Sequence, residues 1–388
     1  MAPLDTSVGA VVANLGSHGA LAAVRTLGRL GVAVHGVHHE RTPAFRSRYL
    51  AGTSLVAVDR LGDELLALGT RLGNRPVLFS AGDAETAVMI DRADELSAVY
   101  RLPQTPPAVL RDLVNKRRLS VLCEERGMPV VRSRYPTTRD EAAAVADELD
   151  FPLLVKAVDP QVLRAQSNAT AVAIVDNVDE LVLAFAGMDG DVVVQEFVPG
   201  DDWLFDGYFR RGGECVAAFT GRKVHQCPPR IGTTSLGVHE PNEAVASSLV
   251  AFLGGLAYEG VVDCDVRRDE RDGTFKLLDV NPRVGEAFRL FTDDGDLDVV
   301  RMQYLDLTGN EVRPGTVRVG RKWAVELNEA VALMQWRGAD DAPAARAYLG
   351  ALRGVDEVAW FATDDLAPVG AVGAVAARRL ARFVRKAW

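Results

Sequence analysis

Residues 8–14, VGAVVAN, form a short apolar run that ends in the glycine turn LGSHGA. Leu21, Val24, Leu27 and Leu30 then recur at helical spacing as far as Gly31, and VAVHGV follows as a second β-rich run. Strand, glycine turn, helix and strand within about 30 residues make a βαβ unit, which predicts a parallel sheet. PVLFSA at 76–81 supplies a further strand, and the alternation continues to about residue 100.

LPQTPP at 102–107 punctuates the pattern and predicts a boundary. Beyond it, NKRRLSVLCEERG predicts a helix closed by Gly127. Thr138 and Glu141 have capping-box spacing before an Ala-rich helix, and Asn177 and Glu180 repeat it. FPLLVKAV at 151–158 and DVVVQEFV at 191–198 predict buried strands, the second leading into a Pro199-Gly200 turn. From 205 to 285 strands alternate with one long helix, NEAVASSLVAFLGGLAYEG, and the region ends in the strand FKLLDVNPR. From about 311 a smaller region is appended, finishing in the basic segment AARRLARFVRKAW. Leu380, Phe383 and Val384 share one face there, which suits a packed helix, a solvated tail or an anionic membrane surface. The mixture predicts an α/β (α+β) fold.

Length suggests two or three domains, from 388 residues at roughly 150 per domain. Hydrophobic residues are 48% and charged residues 25%, enough for a substantial core. A net charge of −9 excludes a generally basic nucleic-acid binder. The first ten residues carry no basic segment followed by an apolar run, so no signal peptide is expected. No apolar stretch approaches the roughly 18 residues of a membrane span. Cys123, Cys215, Cys227 and Cys264 are scattered and form no CxxC pair, which predicts reduced thiols in a cytoplasm. The six histidines give one adjacent pair, His38-His39, and no HExxH, so no transition metal is expected.

Three features point to chemistry. Asp279 and Asn281 lie two apart at the end of a strand, hence on one face. Asp265 lies on the preceding strand across the turn DERDG, so a hairpin would gather three oxygen-bearing side chains suited to Mg²⁺. A solvated acidic hairpin face accounts for the same residues. Lys156 sits within an apolar strand, where its charge needs a partner such as phosphate, unless it faces solvent from an edge strand. QEFVPGDD at 195–202 is a strand running into a hinge, with backbone groups for a purine edge and Asp202 for ribose hydroxyls.

Lys116, Lys156, QEFVPGDD, GRKVHQCPP and LLDVNPR occur in one order over about 170 residues. This order resembles the ATP-grasp superfamily, specifically its carboxylate–amine ligases. GALAAVRTLGRLGVAVHGV, the later SRY and VAWFATDDLAP resemble a branch of predicted ATP-dependent carboligases, so the likeness runs through nearly the whole chain. The resemblance implies a Rossmann-like domain over 1–110, a two-lobed ATP-grasp core over 111–310 and a C-terminal region over 311–388. It implies ATP with Mg²⁺, or Mn²⁺, as cofactors. Lys116 and Lys156 would contact the phosphates, and Gln195, Glu196 and Val198 would meet adenine, the last two through backbone groups. Asp202 would hold the ribose, and Asp265, Asp279 and Asn281 would coordinate the metal, with Asp279 standing where glutamate is usual. Arg283 would face the charge that develops during acyl transfer, and Lys223 and Arg230 would touch phosphate or substrate. The implied reaction is phosphorylation of a carboxylate followed by attack of an amine. The partners would be small carboxylates and amines, an amino acid among them, with no nucleic acid and with a homodimer as a reasonable assembly. Arg230, Arg283 and Arg289 would suit an acidic or amino-acid carboxylate.

One departure stands out. AVDPQVLRAQSNATAVAI, where the superfamily has a glycine-rich lid, contains no glycine, and Arg164, Ser167 and Asn168 are the available substitutes. Two other readings stay open: a nucleotide-binding dehydrogenase on the N-terminal unit, or an ATP-binding protein without catalysis. Gly16-Ser17-His18-Gly19 lacks a full GxGxxG, and only Glu40 stands near the end of the second strand. His38, His39 and Asp83, at strand ends of the same unit, could touch substrate.

Overall fold

The first apolar run forms β1 (Ala10–Ala13), which is buried along its whole length. β2 (Val34–His38), β3 (Leu50–Leu55) and β4 (Val77–Ser80) join it in a sheet of order β3-β2-β1-β4, parallel throughout. The helix His18–Arg29 makes the crossover between β1 and β2, and the Ser17 hydroxyl caps it by accepting from the Ala20 N–H. The parallel sheet is thus the one the βαβ spacing predicts. β3 escaped notice because it is an edge strand, LAGTSL, whose residues alternate between half-buried and exposed and carry few large apolar groups.

The structure is a computed structural model that describes residues 5–157, 172–188, 191–336 and 344–373. The lid candidates Arg164, Ser167 and Asn168, and the terminal Leu380, Phe383 and Val384, lie outside the described residues. The chain divides into two units, Met1–Arg111 with Leu204–Asp263 and Asn281–Trp388, and Asp112–Trp203 with Cys264–Val280.

In the second unit, the helix Lys116–Arg126 is capped by Asn115, which accepts from the Arg118 N–H, and ends at Gly127 with φ 66°. That left-handed conformation is one glycine adopts without strain, so the sequence signal for the helix end has its expected cause. β5 (Ser133–Arg134), β6 (Leu153–Ala157), β7 (Val172–Val175) and β8 (Val192–Glu196) form an antiparallel sheet of order β5-β8-β6-β7. Its inner face packs Leu153, Val155, Val192 and Val194 on Val145, Leu149 and Leu181. Both N-caps form, and each glutamate accepts from the N–H one residue before the cap, Thr137 and Asp176. Thr138 accepts from the Glu141 N–H, and Asn177 from the Glu180 N–H.

The third sheet is built from β9 (Asp202–Arg210), β10 (Glu214–Cys227), β11 (Thr233–His239), β12 (Gly260–Arg268), β13 (Phe275–Asn281), β14 (Lys322–Ala324) and β15 (Glu357–Val358). Its order is β13-β12-β9-β10-β11-β14-β15. The chain passes between the two units within β9, β12 and β13. The long helix lies at Glu243–Gly255, capped by Asn242. In the first unit Tyr208, Val261, Val284, Phe288 and Tyr304 share one core with Val12, Leu21, Val24 and Phe79. No described helix is long and apolar enough to cross a membrane.

Candidate active site

In the second unit the strand lysine is not on an edge. Lys156 lies on β6, opposite Val193 of β8 on one side and Val172 of β7 on the other, and is half-buried. The solvent-facing edge position that would account for it is therefore absent. Lys116 opens its helix and gives an ammonium hydrogen bond to Asp279 Oδ1 on β13. Burial alone would lower the Lys116 pKa, but the charges of Asp279 and Asp265 outweigh it and raise the value. Both carboxylates thus act on one cation from neighbouring strands.

The hinge is more constrained than its sequence suggests. The Glu196 side chain is only 3% exposed and takes hydrogen bonds from the Arg132 N–H at 2.9 Å, Lys276 Nζ at 3.0 Å and Arg271 Nη2 at 3.2 Å. Lys276 also pairs with Asp269 at 3.0 Å. The Glu196 carboxylate is fully engaged inside the unit, and its main-chain N–H donates to the Arg132 carbonyl at 3.0 Å. Gln195 Nε2 donates to Ser133 Oγ at 2.9 Å. Val198 is buried, and among the described residues neither its N–H nor its C=O finds a hydrogen-bond partner. A main-chain N–H and C=O on one residue suit the donor–acceptor edge of a purine. Asp202, at the start of β9, pairs with Arg267 at 3.4 Å, and that guanidinium lies over the Phe197 ring at 4.9 Å.

In the first unit Asn281 follows Asp279 by two residues on β13 and donates from Nδ2 to Asp263 Oδ2 at 3.2 Å. Its Oδ1 accepts a longer bond from Arg283 Nη2 at 3.4 Å. Arg283 pairs with Asp83 through Nε at 2.6 Å, so the N-terminal aspartate is the guanidinium's partner here. Burial would lower the Arg283 pKa; the charges of Asp83 and Asp263 raise it, and the group stays cationic. Lys223 lies on β10 opposite Gly237, and Arg230, in the loop that follows, holds φ 70° with its guanidinium 5.7 Å from the Trp336 ring.

Arg289 departs from its sequence reading. It is buried and bonds Asp298 Oδ2 at 2.7 Å, Glu357 Oε1 at 2.8 Å and Asp296 Oδ1 at 3.0 Å. Three carboxylates saturate its guanidinium, so it braces the C-terminal region and has no fork left for a substrate. Sequence reasoning also missed Asp206 and Asp263. Asp206 is fully buried, its Oδ2 has no hydrogen-bond partner among the described residues, and burial with the Asp263 and Asp298 charges raises its pKa well above the usual range. Asp263 was legible: it precedes Asp265 by two on β12 and so shares its face. Asp206 was not, because nothing local distinguishes it from any strand aspartate.

The glycine turn at the N-terminus is occupied by protein. A Cβ on Gly19 would meet Glu286 Cα and the Gly285 carbonyl oxygen at 2.8 Å, and one on Gly16 would meet the Asn14 side chain at 2.9 Å. These glycines admit the chain's own backbone and side chains where a dinucleotide pyrophosphate would have to sit, which removes the basis for the dehydrogenase reading. Beyond β2, His38, His39 and Glu40 each offer a ligand atom, all within 4.8 Å of one another, a grouping that the absence of HExxH did not anticipate.

Asp265 and Asp279 are half-buried carboxylates on neighbouring strands of the second unit, with the Lys116 ammonium on Asp279. Hard oxygen donors of this kind, few in number and leaving room for phosphate and water, fit Mg²⁺ or Mn²⁺.

No family model matches the chain. It is 26% identical over 239 residues to the D-aspartate ligase of Enterococcus faecium, a match covering 56% of this chain and 56% of that protein. It is 26% identical over 300 residues to the D-alanine–D-alanine ligase of Pseudomonas entomophila, covering 68% of this chain and 85% of that one. The chain thus spans little more than half the length of the first of these relatives. Among solved structures, the biotin carboxylase domain of Hydrogenobacter thermophilus 2-oxoglutarate carboxylase, in complex with MgADP, ADP and bicarbonate, gives a TM-score of 0.63 at 16% identity. That likeness covers 81% of this chain and 73% of the other. With its lysine-bearing antiparallel sheet, its hinge and its aspartate hairpin, the chain has the ATP-grasp fold and is similar in sequence to carboxylate–amine ligases.

Proposed function

We propose that this protein is an ATP-dependent ligase that activates a substrate carboxylate as an acyl phosphate and joins it to an amine, releasing ADP and phosphate. The observation that carries the reading is Lys116 held on Asp279 and charged by both Asp279 and Asp265. Such a half-buried cation beside two carboxylates is arranged for a polyphosphate and its metal ion. The unpaired main chain of Val198 supports adenine binding at the hinge.

Lys116 and Lys156 would neutralise the phosphates, and Gln195, Glu196 and Val198 would seat the adenine, with Asp202 on the ribose. Asp265, Asp279 and Asn281 would hold Mg²⁺, which when bound screens phosphate charge and orients the transferred group. Arg283, kept cationic by Asp83, would meet the charge that builds on the acyl group, and Lys223 and Arg230 would contact phosphate or substrate. The chain's own contribution is positioning and charge neutralisation. We further read the chain as a Rossmann-like domain (1–110), an ATP-grasp core (111–310) and a C-terminal region (311–388). The substrates would be small, an amino acid on at least one side, and the assembly a homodimer. Four cysteines without a disulfide accord with a cytoplasmic location.

The test is release of ADP and phosphate from Mg-ATP across a panel of amino acids, other carboxylates and amines, with mass analysis of the products. Release dependent on one carboxylate and one amine, with a new mass equal to their sum less water, is the expected result. Failure of the protein to bind ATP would refute it.

A further inference from the structure

The ligase reading leaves one chemical task without a residue. An amine arrives at neutral pH as an ammonium ion, and it must lose a proton before its nitrogen can attack. The residues assigned to the reaction above are lysines, arginines, carboxylates, amides and the main chain of Val198, with no imidazole, the side chain that titrates near neutral pH, among them.

His225 lies on β10 two residues beyond Lys223 and is built into a carboxylate–histidine pair. Its Nδ1 is 2.8 Å from Glu329 Oε2, and the two side chains are 10% and 8% exposed. The ring stacks on Tyr348, centroids 3.8 Å apart and planes within 7°. Tyr348 in turn donates from its hydroxyl to the Glu329 main-chain oxygen at 3.2 Å. Burial would raise the Glu329 pKa, but the hydrogen bond from His225 helps to outweigh it and the net shift is downward, so Glu329 is ionised and accepts from an Nδ1–H. In the neutral ring the free lone pair then belongs to Nε2, and among the described residues that nitrogen makes no hydrogen bond. The strand bends at this point. The register between β10 and β11 slips between Lys223 and His225 and again between His225 and Gln226. Bulges of this kind re-aim a side chain that regular pairing would send elsewhere.

The other histidines are disposed differently. His239 is tied to the Arg318 carbonyl at 3.1 Å, His35 to Ser54 at 3.0 Å, burial pushes His38 down to about 4, and His18 Nε2 lies 3.7 Å from Glu286 Oε2, beyond hydrogen-bond reach. Among the described residues, His225 alone has a hydrogen-bonded carboxylate orienting one ring nitrogen.

Resting on the ligase reading above, we propose that His225 is the general base for the incoming amine and that Glu329 is the residue that positions it. His225 Nε2 takes one proton from R–NH₃⁺. The freed lone pair forms the C–N bond to the acyl carbon while the C–O bond to phosphate breaks. Phosphate leaves with that electron pair and takes the second nitrogen proton, and the imidazolium returns its proton to solvent. The titratable groups in contact with the ring are Glu329 from the helix Glu326–Gln335 and Tyr348 from Ala345–Ala351, and Lys223 and Cys227 lie two residues either side of it on its own strand.

Hydroxylamine separates the two half-reactions, because it traps an acyl phosphate as a hydroxamate and is largely unprotonated at neutral pH. Hydroxamate and amide formation are measured in parallel for the full chain with Mg-ATP and the amino-acid panel. His225→Gln is expected to keep hydroxamate formation within about twofold while amide formation at pH 7 falls on the order of 100-fold or more. The lost rate should return as pH rises toward the amine's own titration. Glu329→Gln should retain hydroxamate formation and move the acidic limb of the amide rate to lower pH, since the imidazolium loses its carboxylate. Equal loss of both products in His225→Gln, with no shift of the limb in Glu329→Gln, would overturn the proposal and leave the pair as packing. Amide formation unchanged in His225→Gln would also overturn it. Absence of hydroxamate from the unmodified protein would bring down the ligase reading and this proposal with it.

Discussion

Replacing Glu196 by glutamine takes one charge out of the interior of the second unit while keeping the side chain's shape. The amide oxygen can still accept from the Arg132 N–H, so the change isolates the ionic contacts with Lys276 and Arg271. Arg271 is nearly half exposed, and its share is discounted for solvent screening. Lys276 is 16% exposed and keeps Asp269 as a second partner, so it is not abandoned. The loss therefore approximates one charge-assisted hydrogen bond, about 2 kcal/mol, and not the larger cost of stranding a buried ion. For a unit of about a hundred residues this lowers the unfolding midpoint by roughly 8–16 °C. Hydrogen exchange at β8 is the better assay, because a chain of two units need not unfold in one step. Exchange of the protected β8 amides should quicken about 30-fold, with a coupling of about 1 kcal/mol or more in a double-mutant cycle with Lys276→Met. The pH dependence has a definite sign. Burial would raise the Glu196 pKa, but the Arg132 N–H and the Lys276 ammonium bring it below the usual glutamate value. The stabilisation is therefore complete above the unfolded-chain value and lost as pH falls through the folded one. A change under about 0.5 kcal/mol, or strict additivity with Lys276→Met, would refute the reasoning.

Asp279→Ala with Asn281→Ala should abolish Mg-ATP turnover while far-UV circular dichroism stays unchanged; retained turnover would dissociate these residues from the metal. Arg289→Met leaves Asp298, which has no exposed surface, without its guanidinium, and should cost about 3–5 kcal/mol in denaturant unfolding. Gly19→Ala drives a Cβ into the Gly285–Glu286 backbone and should destabilise by about 1–3 kcal/mol, with kcat falling because Arg283 is on the same segment. His38 should show no protonation shift by NMR between pH 5 and 7, since burial and the neighbouring His39 lower its pKa to about 4. Because the unfolded chain binds that proton more readily, stability should rise with pH between about 4 and 6.5.

Periodicity and capping were sufficient for the elements that hold the site. The apolar runs at β1, β6 and β8, the Asn115 and Asn177 caps and the left-handed Gly127 are local effects, determined by residues a few positions apart. The alternation along β13 likewise put Asp279 and Asn281 on one face before any contact was known. β3 was illegible because an edge strand can form with residues that are at most half-buried, and LAGTSL does so without a strong apolar signal.

The sequence by itself determined which residue types stand at the ends of which strands, and through their order the resemblance to the ATP-grasp superfamily. Tertiary structure alone decided how each charge is spent. Arg289 and Arg283 look alike in the sequence, yet one is saturated by three carboxylates from 296, 298 and 357 and the other meets a single aspartate from residue 83. Glu196 reads as a hinge carboxylate until Lys276, eighty residues on, claims it, and His225 is an ordinary strand histidine until Glu329 arrives from a helix a hundred residues later. Backbone conformation answers to near neighbours, whereas electrostatic energy depends on distance in space, and sequence separation says nothing about that distance until the chain has folded.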